Sequence, residues 1–467
     1  MPIRLTIILA VIVSGATTFA ADTSRPNFII ILCDNLGYGD IGCFGSTIHR
    51  TPNIDRMARE GLKLTSFYST SGVCTPSRAS LMTACYPRRV SMHETQGAVL
   101  RPVSPIGLNP DETTIAEVLK TRGYATALIG KWHLGDQAPF LPTRQGFDFY
   151  FGIPYSDDMT PRKGKPWPPL PLFRNETVID APVDRDLLTK RYTQQTIDVV
   201  TTNKDKPFFL ILSHAMPGST RAPYASEAFR GKSKNGRWGD SVEEIDWSTG
   251  EILAVLKKLD LDTNTLVIWT SDNGAPRRNP PQGLNRPLKG WGYTTAEGGM
   301  RVPCIARWPG RIQESTSTDE VATMMDFLPT FAAMSGAKLP TAKIDGRDIR
   351  PLLFDRDAKS PYEAFYYYHM SQLQAVRVGK WKLYLSLKNK RSNLGSATRA
   401  SAAELYDLRE DLGEARNVAS TNPEVVERLR KLAKLVVEDL GDHGKPGTGQ
   451  RKAGRSKDPV PQLLRKK

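Results

Sequence analysis

The sequence predicts an α/β protein with a large, mixed but mostly parallel sheet flanked by helices, and a small C-terminal α+β subdomain with an antiparallel sheet. Four short, continuous apolar runs carry the first part of this prediction. Strands that are buried on both faces of a parallel sheet have this pattern. Each run passes directly into polar residues, and the runs are 28–33, 126–130, 208–213 and 266–271.

Helical stretches separate these runs, at 113–122, 184–201 and 241–259. The first of them begins with a capping pattern, a threonine followed by Glu117. Alternation of strands and helices is typical of a parallel sheet with crossover helices. We therefore expect one large domain over residues 22–345.

The pattern changes after residue 345. Aromatic and β-branched runs at 365–369, 375–378 and 381–387 are separated by hairpin breaks. An amphipathic helix is predicted at 423–439. The C-terminal subdomain should therefore occupy residues 346–440.

Both ends of the chain have a distinct composition. Residues 1–21 are typical of a secretory signal peptide, with Arg4 before an apolar core at 5–13 and small residues before a cleavage site. The core is too short to span a bilayer, and no later segment approaches that length. We expect an exported protein, periplasmic or secreted, without a transmembrane segment.

The formal net charge of the chain is +15. Residues 445–467 contain eight Lys or Arg and one Asp among glycines and prolines, so we expect a basic, disordered tail over 441–467. The remaining charge suits a polyanionic substrate, and a solvated basic surface is equally compatible. Charge does not identify the ligand, and we expect no specific nucleic-acid partner.

Polar side chains follow all four apolar runs. In open α/β sheets, ligands bind beyond the carboxyl ends of the strands, so these side chains should form one site. They are Asp34 and Asn35, Lys131 and His133, His214, and Asp272 and Asn273.

The segment Cys74-Thr75-Pro76-Ser77-Arg78 places a cysteine at the start of a predicted helix. It resembles the modification signature of the type I, formylglycine-dependent sulfatases, and the resemblance extends from about residue 25 to about residue 440. Residues 152–156 are similar to the arylsulfatase A and N-acetylgalactosamine-6-sulfatase branch. The other similar segments are 34–37, 130–135, 271–274, 288–290 with 297–303, and 404–408 with 414–417.

The resemblance implies an alkaline-phosphatase-like fold and a sulfuric ester hydrolase that acts on a sulfated carbohydrate. It implies that a formylglycine-generating or sulfatase-maturing enzyme converts Cys74 to Cα-formylglycine, whose hydrated aldehyde attacks sulfur. The implied ligands of Ca²⁺, with Mg²⁺ as the alternative, are Asp34, Asn35, Cys74, Asp272 and Asn273. The resemblance implies that Arg78 and Lys131 hold the nucleophile and that His133 is the base. It implies that His214 protonates the leaving oxygen. The implied sulfate contacts are His214, Lys131, Lys289 and Ser156.

The sequence departs from the family pattern in three segments. Asn35 stands where the family usually has a second Asp, so we expect weaker metal binding or a changed ion preference. Ala84 and Cys85 replace part of the segment that commonly follows the cysteine motif, and Gly218 follows Pro217 where a further His is usual.

Two other activities stay open: a phosphodiesterase or phosphonate monoester hydrolase of the same superfamily, and a catalytically silent binder of sulfated glycans. Without Cys74, four cysteines remain, enough for two disulfides, and we assign no bridge. Cys33 ends a buried strand and is expected to be an inert core thiol.

Overall fold

The computed structural model describes residues 25–93, 97–279, 281–390 and 398–465. The predicted signal peptide lies outside these residues. Within them, no helix is long and apolar enough to cross a membrane. All five cysteines are unpaired, in agreement with a core thiol at Cys33.

The strands are, in chain order, β1 (Asn27–Asp34), β2 (Leu62–Leu64), β3 (Phe67–Tyr68), β4 (Ile106–Gly107), β5 (Ala125–Gly130), β6 (Phe149–Gly152), β7 (Leu172–Arg174), β8 (Thr177–Asp180), β9 (Phe208–Pro217), β10 (Thr265–Ser271), β11 (Cys304–Arg307), β12 (Thr316–Thr318), β13 (Ala322–Thr323), β14 (Phe365–His369), β15 (Gln372–Val378), β16 (Trp381–Tyr384), β17 (Leu387–Lys390), β18 (Thr398–Ser401), β19 (Glu404–Asp407), β20 (Gly441–Asp442), β21 (Lys445–Pro446) and β22 (Gly454–Arg455). The α-helices are α1 (Pro52–Arg59), α2 (Cys74–Thr83), α3 (Ile115–Lys120), α4 (Leu188–Thr202), α5 (Gly236–Lys258), α6 (Glu297–Met300), α7 (Phe327–Ser335), α8 (Arg350–Phe354) and α9 (Pro423–Leu440).

Ten strands form the main sheet, in the order β12-β2-β11-β10-β1-β9-β5-β6-β7-β8. The four predicted apolar runs are its centre, because β10, β1, β9 and β5 are neighbours and all pair in parallel. Strands toward both edges add antiparallel pairs, such as β10 with β11 and β6 with β7. The predicted large, mostly parallel sheet is confirmed.

Each face of this sheet packs against its own core. Phe28, Ile30 and Leu32 of β1 belong to one cluster, and Ile29 and Ile31 belong to the other. Successive strand residues point to opposite faces, so a strand covered on both sides is apolar throughout. This is why the central strands appear in the sequence as continuous apolar runs.

The predicted helices are present, with shifted ends. Helix α3 begins after Thr114, whose hydroxyl accepts a hydrogen bond from the Glu117 backbone amide. In turn, the Glu117 carboxylate accepts a hydrogen bond from the Thr114 backbone amide. Helices α4 and α5 pack against each other and against β9.

The C-terminal part contains the predicted antiparallel sheet, which has four strands in the order β14-β15-β16-β19, with α9 packed against it. The domain boundary near residue 345 stays a prediction.

The structure corrects the expectation of a disordered tail. Strand β22 pairs with β4, and β20 pairs with β21. The buried Arg88 donates to the Lys445 carbonyl at 2.9 Å, and Arg451 forms an ion pair with Glu112 at 2.7 Å. Partners from distant parts of the chain order this segment, and its composition carries no information about them.

Candidate active site

Cys74 is the first residue of α2 and is 2% exposed. Burial, followed by the charges of Asp272 and Asp34, raises the pKa of its thiol well above the ordinary value. A reactive thiolate requires the opposite shift. Cys74 as a plain thiol is therefore poorly suited to be a nucleophile at neutral pH.

Arg78 lies one turn further along α2 and joins the ends of four central strands. Its Nη1 donates to the Lys131 carbonyl at 2.8 Å, after β5, and to Ser213 Oγ at 2.6 Å, on β9. Its Nε donates to Asp272 Oδ2 at 2.9 Å, and Nη2 donates to Asp34 Oδ1 at 3.3 Å. The planar guanidinium thus holds α2 over the carboxyl edge of the sheet.

Lys131 is fully buried and donates from Nζ to Asp34 Oδ1 at 2.7 Å and to Ser156 Oγ at 3.4 Å. Although burial acts in the opposite direction, the Lys131 ammonium and the Arg78 guanidinium hold the pKa of the Asp34 carboxyl well below its usual range. Burial and the nearby Asp34 charge raise the pKa of Asp272.

The predicted metal ligands lie together. One ligand atom each from Asp34, Cys74 and Asp272 fall within 4.8 Å of one another. The Cys74 Sγ lies 3.8 Å from Asn35 Oδ1, and the backbone N–H of Asn35 donates to Asp272 Oδ1 at 3.0 Å. Asn273 Nδ2 also donates to Asn35 Oδ1.

Two oxygens of this group, Asp34 Oδ2 and Asn273 Oδ1, are buried and have no hydrogen-bond partner among the described residues. Buried polar atoms are normally paired, so such atoms in one cluster indicate an ion or water. Carboxylate and amide oxygens are the ligands that Ca²⁺ and Mg²⁺ prefer. The residues present fit a divalent cation of this class.

His133 has a left-handed backbone, with φ of 64°, and its ring is buried. Its Nε2 lies 3.0 Å from the Leu100 carbonyl, which can only accept, so Nε2 carries the proton. The other ring nitrogen, Nδ1, has no partner within the described part of the chain. Burial, and then the charges of Lys131 and Arg78, lower the pKa of His133, so Nδ1 has a lone pair available for a proton.

A cavity of about 250 Å³ opens above Cys74. His133 and Ser156, both predicted site residues, line it. Sequence reasoning missed the other lining side chains. They are Val73, Ala98, Val99, Asp158, Met159, Ser219 and Tyr293.

Asp157 is a further residue that the sequence did not indicate. It is fully buried, both carboxylate oxygens lack a hydrogen-bond partner in the described residues, and burial with the Asp158 and Asp34 charges raises its pKa. A Cβ on Gly218 would lie 2.9 Å from Asp157 Oδ1 and 3.5 Å from Asp34 Oδ2. Gly218, which stands where the family usually has a histidine, therefore keeps open the space between the two carboxylates.

The structure does not bring His214 to the cavity. His214 is not among the residues that line it. Neither ring nitrogen of His214 has a hydrogen-bond partner among the described residues, and burial lowers the pKa of the ring to about 3. A neutral, enclosed imidazole does not fit the predicted role of acid to the leaving group.

Lys289 also lies elsewhere, which corrects its predicted contact with sulfate. Its Nζ donates to the Glu414 carbonyl at 2.7 Å and lies 5.0 Å from the centre of the Tyr406 ring. Both partners belong to the C-terminal part of the chain. The segment 288–303 does reach the site, through Tyr293 instead.

A family model described as Sulfatase matches residues 26–337, more than half of the chain. This chain belongs to the sulfatase family. A second model, described as N-sulphoglucosamine sulphohydrolase, C-terminal, matches residues 293–439 of this sulfatase.

Named relatives agree with the family. Human arylsulfatase A is 38% identical to this sulfatase over 452 residues, covering 88% of this chain and 87% of the relative. Mouse N-acetylgalactosamine-6-sulfatase is 36% identical over 397 residues, covering 81% and 75%. The predicted branch of the family is confirmed, and the chain is a sulfuric ester hydrolase.

A solved structure shares the fold. Ps i-CgsB in complex with k-i-k-neocarrahexaose is 26% identical, with a TM-score of 0.75, covering 88% of this sulfatase and 92% of that chain. The alkaline-phosphatase-like architecture expected from the sequence is confirmed.

Proposed function

We propose that this sulfatase removes sulfate from a sulfated carbohydrate, with Cys74 converted to Cα-formylglycine and a divalent cation beside it. One observation carries the proposal: Cys74 lies buried at the start of α2, within 4.8 Å of ligand atoms of Asp34 and Asp272. Arg78 and Lys131 surround the same point with positive charge.

Burial disfavours a thiolate at Cys74, so the unmodified thiol is a poor nucleophile. Conversion to formylglycine replaces it with a different nucleophile. The hydrated aldehyde supplies a hydroxyl nucleophile and a second hydroxyl through which sulfate is later expelled. His133 Nδ1, which has no hydrogen-bond partner among the described residues, is placed to accept the proton of that second hydroxyl. Ser156, which lines the cavity and contacts Lys131, is positioned to donate to a sulfate oxygen.

Asp34, Asn35, Asp272 and Asn273, with the converted residue 74, would hold Ca²⁺, with Mg²⁺ as the alternative. When bound, the ion supplies positive charge that polarises the sulfate ester and favours an ionised nucleophile. Lys131 and Arg78 meanwhile keep Asp34 ionised and oriented as a ligand.

A carbohydrate substrate is supported by the names of similar proteins. One relative is an N-acetylgalactosamine-6-sulfatase, and Ps i-CgsB was solved with k-i-k-neocarrahexaose. Human steryl-sulfatase is similarly related, at 37% identity over 432 residues, so a steroid sulfate belongs in the same test. A steroid sulfate carries a single negative charge, so the net charge of +15 attracts a polyanionic glycan more strongly at long range.

We also propose export, directed by residues 1–21, and maturation by a formylglycine-generating or sulfatase-maturing enzyme. The intact Cys74-Thr75-Pro76-Ser77-Arg78 segment supports the second step.

The test is sulfate release from carrageenans, fucoidan, chondroitin and heparan fragments and from a steroid sulfate, compared with hydrolysis of an aryl phosphodiester. The protein is produced in a host that makes formylglycine, the aldehyde is confirmed by peptide mass, and Ca²⁺ is added. Cys74→Ala is the inactive control, and Cys85→Ala is the matched control for loss of a buried cysteine elsewhere.

We expect sulfate release from at least one glycan and none with Cys74→Ala. Faster cleavage of the phosphodiester would favour the phosphodiesterase alternative. Glycan binding without release, despite confirmed aldehyde, would favour the silent binder.

A further inference from the structure

Expulsion of a sugar alkoxide from sulfur needs a proton donor at the leaving oxygen, because an alkoxide is a poor leaving group. The sequence-based candidate, His214, does not line the cavity above Cys74. The reaction under "Proposed function", on which this inference rests, therefore lacks an identified acid.

The described side chains that line the cavity offer few donors. His133 uses its proton on the Leu100 carbonyl, and the Asp158 carboxylate is an acceptor. Three hydroxyls remain, on Ser156, Ser219 and Tyr293. A phenol is a far stronger acid than an aliphatic alcohol, so Tyr293 is the best proton donor among them.

The backbone holds Tyr293 in an unusual conformation. Its φ is 72°, in the left-handed region that bulky residues rarely adopt. Its amide donates to the Gly72 carbonyl at 2.8 Å, which fixes the residue beside the start of α2. Strained residues of this kind concentrate at functional sites, where the surrounding structure enforces them.

A hydrogen-bond chain leads to the phenol from the proposed metal site. Asn35 Nδ2 donates to Ser219 Oγ at 2.9 Å, and Ser219 Oγ lies 3.0 Å from Tyr293 Oη. Either hydroxyl can be the donor in the Ser219–Tyr293 bond, because Ser219 keeps a second acceptor lone pair. When Ser219 donates, the phenol proton is available to the cavity.

The same hydrogen-bond chain suggests a role for Asn35, which stands where the family usually has an Asp. The Asn35 Oδ1 faces Cys74 and Asn273, while its Nδ2 serves Ser219. An ionised Asp at this position has no donor, so it could only accept a hydrogen bond from the Ser219 hydroxyl. Asn35 thus joins the proposed cation site to the tyrosine.

Burial, and then the charge of Cys74, raise the pKa of Tyr293, so the phenol keeps its proton at neutral pH, as an acid must. The Ser219 hydrogen bond and the Arg278 charge act in the opposite direction. Arg278 also donates from Nη2 to the Ser219 carbonyl.

We propose that Tyr293 is the catalytic acid that protonates the leaving-group oxygen, with Ser219 and Asn35 as positioning residues. As the nucleophilic oxygen bonds to sulfur, the sulfur–oxygen bond to the alcohol breaks and its electron pair stays on the leaving oxygen. The Tyr293 Oη proton passes to that oxygen. The nucleophile loses one proton to the medium and Tyr293 regains one, so the transfer of sulfate is balanced.

The test compares the wild-type enzyme with Tyr293→Phe on a series of aryl sulfates of increasing leaving-group pKa, from nitrophenyl to phenyl, and on a sugar sulfate. Each preparation is matched for formylglycine content, bound Ca²⁺ and melting temperature. Tyr366→Phe, in β14 of the C-terminal sheet, is the control for loss of a hydroxyl away from the site.

We expect Tyr293→Phe to lower kcat on phenyl and sugar sulfates by about 100- to 10,000-fold and on nitrophenyl sulfate by only a few-fold, since a good leaving group needs no acid. Ser219→Ala should change the same leaving-group dependence in the same direction, by less. Tyr366→Phe should match the wild type on all substrates.

An equal loss by Tyr293→Phe on every substrate, or no loss on the sugar sulfate, would overturn the role of Tyr293 while leaving the sulfatase proposal intact. A wild-type protein with confirmed aldehyde that releases sulfate from no ester would overturn both. The two failures are thus distinguishable.

Discussion

Lys382 Nζ donates a hydrogen bond to Glu297 Oε1 at 2.9 Å, and both side chains are fully buried. Glu297 begins α6 in the main domain, whereas Lys382 lies on β16 of the C-terminal sheet. The Tyr367 hydroxyl also donates to Glu297, at 2.8 Å, and Lys382 lies 3.0 Å from Glu414. Buried charges are tolerated only when they are paired and hydrogen-bonded, so this cluster ties the two parts together in one arrangement.

Removing Glu297 should therefore destabilise the protein strongly. We expect Glu297→Ala to lower the free energy of unfolding by about 3–5 kcal/mol, because Lys382 and the nearby arginines lose a buried counter-charge. Urea denaturation measures this. The exposed Lys359–Glu320 pair provides the control, since Lys359→Ala should cost no more than about 1 kcal/mol. A loss for Glu297→Ala as small as the control's would contradict the cluster's role.

The same residue predicts an acid-sensitive contribution to stability. Although burial opposes it, the charges of Lys382, Arg301 and Arg377 lower the pKa of Glu297 from 4.5 to about 2. A folded-state pKa below the unfolded value stabilises the fold above pH 4.5, and this contribution is lost as pH falls toward 2. Comparing denaturation midpoints of the wild type and Glu297→Gln between pH 5 and pH 2 should show a steeper loss in the wild type. Parallel curves would contradict the assignment.

Arg78 should not tolerate replacement by lysine. A single ammonium cannot replace the planar fork that contacts Asp272, Asp34 and the Lys131 carbonyl together. We expect Arg78→Lys to lower kcat/KM for sulfate release at least about 100-fold, as losses of preorganised electrostatic groups do. The exposed Arg350→Lys should leave kcat/KM unchanged. Wild-type activity in Arg78→Lys, at equal formylglycine content, would exclude this role.

Asn35→Asp separates metal affinity from catalysis. Restoring a carboxylate should tighten Ca²⁺ binding, by roughly tenfold for about 1.4 kcal/mol of added attraction. Losing the Nδ2 donor to Ser219 should at the same time weaken hydrolysis of esters with poor leaving groups. Calorimetric titration with Ca²⁺ and Mg²⁺ measures the first effect. Unchanged affinity would refute the charge argument, whatever the activity.

Truncation after residue 444 should destabilise the protein. Arg88 would lose the Lys445 carbonyl, Arg89 would lose the Gly449 carbonyl, and Glu112 would lose Arg451. Arg89 Nη1 keeps its bond to Asp439, so the main losses are at Arg88 and Glu112. A buried polar group that loses its partner costs about 1–3 kcal/mol, so we expect a melting temperature several degrees lower. Differential scanning fluorimetry tests this, with polyanion binding recorded in parallel. An unchanged melting temperature would show that the tail contributes nothing to stability.

Local pattern was sufficient for the centre of the fold and most of the site. Strands β1, β5, β9 and β10 are buried on both faces, so their apolar runs were visible without any neighbour being known. Residues at the carboxyl ends of three of these strands, Asp34, Lys131 and Asp272, then had to meet at one edge. Their assembly around Cys74 follows from the topology that the runs imply.

The sequence pattern did not predict which side chains near the strand ends line the cavity. Lys131 follows β5, whereas His214 lies within β9, which continues to Pro217, and His214 does not line the cavity. Lys289 lies in the correct segment but binds the Glu414 carbonyl, while Tyr293 enters the cavity through a left-handed backbone.

By itself, the sequence determined the α/β class, the parallel central strands, the family, and the group of acids, amides and cations around Cys74. These depend on residues close in sequence and on strand ends that must share an edge. Only the tertiary structure decided that Tyr293 rather than His214 faces the cavity, that Glu297 and Lys382 join the two parts, and that the basic tail is ordered. Those outcomes depend on strand facing, backbone dihedrals and partners hundreds of residues apart, which no local pattern encodes.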